Sequence, residues 1–94
     1  MEKQIQILGT YKLDRKIDSF TGTVSFDERE NSIYYSWALF NKDGKLLGGK
    51  SLNVEFLKIP EGHDRFEFAK AHAIEGIRRY RIGRMKLILE MSFL

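Results

Sequence analysis

The sequence predicts an α+β domain: an antiparallel sheet of four or five strands with one long helix packed on one face. Three observations carry this. Four stretches before residue 60 hold apolar residues at every second position, the period of a half-buried strand. One stretch after Pro60 instead carries them at helical spacing. The connections between the first four stretches are short, which favours antiparallel neighbours, and a single helix must bury its stripe against a sheet face. At 94 residues the chain has the length of one domain, and no repeat or linker divides it.

The first strand is expected over residues 4–13, where Ile5, Ile7, Tyr11 and Leu13 alternate with Gln6, Thr10 and Lys12, and Gly9 marks a bulge or bend. Residues 14–19 read as a charged connection. Phe20, Gly22, Val24 and Phe26 then alternate with Thr21, Thr23, Ser25 and Asp27 to form a second strand with a polar outer face. After a polar turn, residues 33–40 make an aromatic-rich third strand. Ile33, Tyr35, Trp37 and Leu39 share one of its faces, and Tyr34, Ser36, Ala38 and Phe40 the other. Asn41-Lys42-Asp43-Gly44-Lys45 is a hairpin turn with Gly44 suited to positive φ. The fourth strand is expected over residues 46–57, with Leu52, Val54 and Phe56 inward.

Pro60 and Gly62 open a loop, and Asp64 with Glu67 three residues on makes a capping-box helix start. Phe66, Ala69, Ala73, Ile77 and Tyr80 follow 3,4,4,3 spacing and form the buried stripe. Gly83 is placed as the C′ residue. A last strand alternates Met85, Leu87, Leu89, Met91 and Phe93 with Lys86, Ile88, Glu90, Ser92 and Leu94. Ile88 and Leu94 make its second face apolar too, which suits a strand covered on both sides or one at an interface, and the order is β-β-β-β-α-β.

Composition narrows the function classes. There is no cysteine, so disulfide frameworks, thiolate metal sites and cysteine nucleophiles are excluded. No apolar leader or run of about 20 apolar residues is present. Together these predict a cytoplasmic chain without a membrane partner. The net charge of +3 is unevenly spread. Arg78, Arg79, Arg81, Arg84 and Lys86 put five cations and no anion into nine residues, whereas the rest holds 11 Lys and Arg against 13 Asp and Glu.

Gly44-Lys45-Leu46-Leu47-Gly48-Gly49-Lys50-Ser51 satisfies the phosphate-loop pattern G-x-x-x-x-G-K-[ST] and follows a strand. Such a loop must open into a helix whose amides receive the phosphates. Here Leu52-Asn53-Val54-Glu55-Phe56 continues as a strand, so nucleotide binding through Lys50 is only a minor alternative. His63 and His72 lack helical metal-ligand spacing and are read as surface residues. Asp27, Glu28 and Glu30 lack the ligand alternation of a calcium loop and read as a solvated turn. No nucleophile elbow or paired acid and base is visible, so no enzyme and no cofactor is expected.

The leading expectation is therefore a small non-enzymatic binding protein. Arg78, Arg79, Arg81, Arg84 and Lys86 would contact phosphates of a nucleic acid or another polyanion, and the aromatics Tyr34 and Phe40 would offer stacking surface. The alternative is a protein-interaction module or homodimer using the apolar last strand and the sheet-face aromatics.

Overall fold

The computed structural model describes the backbone of residues 2–80 and 86–93, and the side chains of residues 3–80. Four strands, β1 (Glu2–Leu13), β2 (Lys16–Glu28), β3 (Ser32–Asn41) and β4 (Leu46–Glu55), follow one another as an antiparallel meander. A single 3-10 turn (Phe56–Lys58) leads to the helix α1 (Arg65–Arg79). The α+β class, with an antiparallel sheet and one helix, is the one the hydrophobic periods predicted. The backbone of Lys86–Phe93 lies as β5, antiparallel to β1, and the order across the sheet is β4-β3-β2-β1-β5.

The alternating residues fall where period two puts them. Ile5, Ile7 and Tyr11 of β1, Phe20, Val24 and Phe26 of β2, and Ile33, Tyr35, Trp37 and Leu39 of β3 are all buried. Ala69, Ala73 and Ile77 of α1 join the same cluster. The rings of Phe26 and Phe66 meet edge to face with centroids 5.0 Å apart, and Trp37 and Tyr80 do so at 4.9 Å. Gly22 stands between Ile7 and Leu39 in register; a Cβ there would come 2.6 Å from Leu39 Cδ2 and 2.8 Å from Ile7 Cγ1. Only a bare backbone lets its two neighbours close over it.

Several expected boundaries are corrected. β2 begins at Lys16, not near Phe20, because Asp14 and Arg15 alone make the turn and Leu13 pairs with Lys16. Asp14 takes φ of 57°, a conformation that aspartate tolerates better than most residues. Leu13 is consequently about half exposed at the tip instead of facing the core. Gly9 is not a bulge, since β1 and β2 pair one to one from Glu2–Asp27 to Leu13–Lys16. The irregularity lies instead where Leu39 pairs with Gly48 but Phe40 pairs with Leu46. Leu47 is the extra residue, and it packs against the core.

β4 stops at Glu55, and Phe56 enters the 3-10 turn, where it is partly buried with the Arg65 guanidinium 3.9 Å over its ring. Asp64 caps α1 by accepting from Glu67 N at 2.9 Å. The Glu67 carboxylate pairs forward with Lys70 Nζ at 2.7 Å, so only half of the capping box is formed. At the other end the helix stops at Arg79, with Tyr80 as C-cap in an extended conformation. Gly83 is thus not the C′ residue, and it lies outside the described residues. Turning out of the helix delivers the Tyr80 ring to Trp37. Among the described residues no helix is long and apolar enough to cross a membrane.

Candidate interaction surface

Register places every strand residue on one of two faces, because paired residues point the same way. Helix α1 occupies the face of Ile7, Val24, Tyr35 and Trp37. Among the described residues no element packs on the other, open face. Tyr34 and Phe40 stand on it, as the alternation of β3 predicted. The predicted basic site is therefore split. Arg78 and Arg79 are exposed on the last turn of α1, on the helix side of the sheet, whereas Tyr34 and Phe40 point away from that side. Arg79 Nε is 2.9 Å from Glu75 Oε1, a solvent-exposed pair that contributes little to stability. Arg81 and Arg84 lie outside the described residues; the Lys86 backbone pairs with Lys12, but its side chain is outside them too. So are the side chains of Ile88 and Leu94, on which the apolar character of the last strand depends. Tyr80, in the middle of the basic run, is half-buried and meets Trp37 edge to face.

The open face has its own composition. Across its middle run Gln4, Ser25, Ser36 and Ser51, followed by Gln6, Thr23, Ala38 and Gly49, all in register. The next row is apolar at three of four positions: Leu8, Thr21, Phe40 and Leu46 lie side by side from β1 to β4. Leu8 is 47% exposed and Leu46 59%, high values for leucines aligned in one row. Charged side chains stand only at the ends of this face among the described residues: Lys12 at one, Asp27 and Glu55 at the other. The Arg29 guanidinium lies 4.6 Å over the Tyr34 ring and 3.3 Å from Asp27 Oδ2. Beside them Gln4, Ser25, Tyr34 and Ser36 line a shallow hollow of about 240 Å³.

The phosphate-loop-like segment has the geometry that its continuation as a strand implied. Gly44 sits in the hairpin at φ 80°, while Gly48, Gly49, Lys50 and Ser51 are strand residues of β4. A Cβ at Gly49 would lie 2.7 Å from the Trp37 carbonyl oxygen, so close approach of two strands accounts for that glycine. No helix follows until Arg65. A larger hollow, about 440 Å³, opens beside the start of α1 between Lys3, Glu28, His63, Arg65 and Phe66. Asp64 already accepts from Glu67 N there, and Lys3 lies 4.2 Å over the Phe66 ring.

One pairing was not foreseen. Tyr35 is fully buried on the helix side, and its Oη shares a hydrogen bond of 2.8 Å with Nδ1 of His72. His72 is exposed, as the sequence suggested, but it is tied to the core. Burial raises the pKa of the Tyr35 hydroxyl above the ordinary tyrosine value. The signal available beforehand was that a tyrosine on an inward face needs a polar partner. His63, also exposed, meets the Phe68 ring edge to face at 6.1 Å. Among the described residues no cluster of His, Asp and Glu is arranged to hold a metal ion. Compared with known protein families, characterised proteins and solved structures, the chain shows no match.

Proposed function

We propose that this chain is a non-enzymatic protein-binding domain whose contact surface is the open face of the sheet. In this reading the domain is five strands with the helix laid across one face, leaving the other for a partner. The observation that supports it most is the aligned row Leu8, Thr21, Phe40 and Leu46 on a face that, among the described side chains, carries no charge in its middle. Exposed apolar residues scattered singly need no explanation, but a contiguous row rimmed by polar residues is the pattern of a protein contact. The small serine, threonine, alanine and glycine side chains beside it keep the surface flat, which suits another sheet or a broad protein surface. Among the described side chains the cations on this face are Lys12 at one end and Arg29, paired with Asp27, at the other.

The experiment is site-specific photo-crosslinking in cells that express the full chain. A photoreactive residue at Thr21 is expected to give discrete protein adducts, and one at Ala71, on the exposed side of α1, few or none. Adducts from Ala71 alone would overturn the reading. A second reading keeps the helix end as a polyanion contact, favoured by Arg78 standing exposed on the last turn within the basic run. It predicts salt-sensitive retention of DNA or RNA that Arg78→Ala with Arg79→Ala weakens; no binding at low salt would dispose of it.

A further inference from the structure

The open face carries opposite charges at its two ends. At the β1–β2 tip Lys12, Arg15 and Lys16 outnumber Asp14. At the other end Asp27, Glu28 and Glu30 outnumber Arg29, and Glu55 closes β4 there. Among the described strand side chains on the face itself this reduces to Lys12 against Asp27 and Glu55, with Leu8 beside the midpoint of β1 between them. We propose that the open face docks on the open face of a second copy of this chain, with the strands of the two sheets antiparallel. This rests on the reading of the open face as the contact surface.

A two-fold axis between the sheets and perpendicular to the strands carries each end of β1 onto the other end in the partner. Lys12 of one protomer then meets Asp27 of its partner, twice. The apolar row, lying beside the midpoint, is set next to its own image and against the small side chains of the row Gln6, Thr23, Ala38 and Gly49. The alternative stacking, with strands parallel, brings the two basic ends together and the two acidic ends together. Like charges placed opposite one another select against that arrangement. Asp27 is available for this because Arg29 approaches only Oδ2, in an exposed pair. Five strands about 4.8 Å apart, with about 3.4 Å per residue over some ten residues, offer roughly 600–800 Å². That approaches the ~800 Å² per partner of a standard interface. Sheets stacked in this way sit about 10 Å apart, a gap that leucine and phenylalanine side chains fill.

Sedimentation equilibrium on the full chain, at low and high salt and over a wide concentration range, tests this. Wild type is expected to reach the mass of a dimer. Lys12→Glu or Asp27→Lys alone should weaken association by about tenfold or more, since each puts like charges together at both ends. The double variant Lys12→Glu with Asp27→Lys should recover to within a few-fold of wild type. Lys12→Gln and Asp27→Asn give the same order of effects at smaller size, and keep the test open if a reversal unfolds the chain. A wild type that stays monomeric overturns the second copy as occupant. So does association that neither single reversal disturbs, because it lacks the antiparallel contact. If the chain is monomeric while Thr21 still crosslinks to a different protein, only this inference falls; if Thr21 yields no adduct as well, the reading of the open face falls with it.

Discussion

Removing His72 should cost more than removing the hydroxyl it serves. Tyr35 is fully buried, and His72 Nδ1 at 2.8 Å is the hydrogen-bond partner that the described structure gives its Oη. His72→Ala leaves that hydroxyl in the core without a partner, a penalty of about 1–3 kcal/mol, and also removes the edge contact between the two rings. Tyr35→Phe keeps the ring and its packing, and water can satisfy the exposed imidazole, so the loss is about 0.5–1.5 kcal/mol. In the double variant the core hydroxyl is gone before its partner is, so in the Tyr35→Phe background His72→Ala should cost only the ring contact, about 0.5–1.5 kcal/mol at most. Urea unfolding followed by circular dichroism measures all four proteins. With a slope of about 1–3 kcal/mol per molar, a 2 kcal/mol loss moves the midpoint by roughly 1 M. The reasoning fails if His72→Ala alone stays within about 0.5 kcal/mol of wild type, as an ordinary surface change would. It also fails if the two losses simply add, because coupled partners must not.

Other expectations follow from single features. Burial holds the Tyr35 hydroxyl protonated to a higher pH than in the unfolded chain, where it ionises near pH 10. Stability present below that pH should therefore fall as pH rises through and above about 10, and less steeply in Tyr35→Phe; equal alkaline slopes would refute the assignment. Gly22→Ala drives a Cβ to 2.6 Å from Leu39 Cδ2 and should destabilise by about 1–3 kcal/mol, seen as a lower urea midpoint. Asp64→Ala removes the acceptor of Glu67 N and should cost about 1 kcal/mol, whereas Asp64→Asn, which can still cap, should cost much less.

Much of the fold was legible because its signals are local. Period two in β1 to β3 named the inward residues, from Ile5 to Leu39, since successive side chains on a strand must alternate. Asp64 and the stripe from Phe66 to Tyr80 located the helix by chemistry within a few residues of itself. The misreadings fall where a distant contact overrides a local cue. Asp14 and Arg15 lack the glycine that announces a hairpin, and only the pairing of Leu13 with Lys16 shows the turn to be so tight. Gly83 looked like the helix terminator, but Tyr80 leaves the helix earlier to meet Trp37. Gly49 looked like part of a phosphate loop, and its reason lies across the ladder at the Trp37 carbonyl.

The candidate site shows the same division. The sequence by itself determined that Tyr34 and Phe40 face away from Tyr35 and Trp37, because strand alternation leaves no other choice. It also located the run of arginines after Ile77. It did not determine that Leu8, Thr21, Phe40 and Leu46 form one row, since residues from four strands become neighbours only through register. Nor did it show that the arginines at the end of α1 and the aromatics of β3 lie on opposite sides of the sheet. That separation depends on which face the helix covers, and tertiary packing decides it: the face able to bury Phe66, Ala69, Ala73 and Ile77 is the one with Phe26, Tyr35 and Trp37. The opposite face is too polar to bury a helix, and on it Leu8 and Leu46 stay exposed.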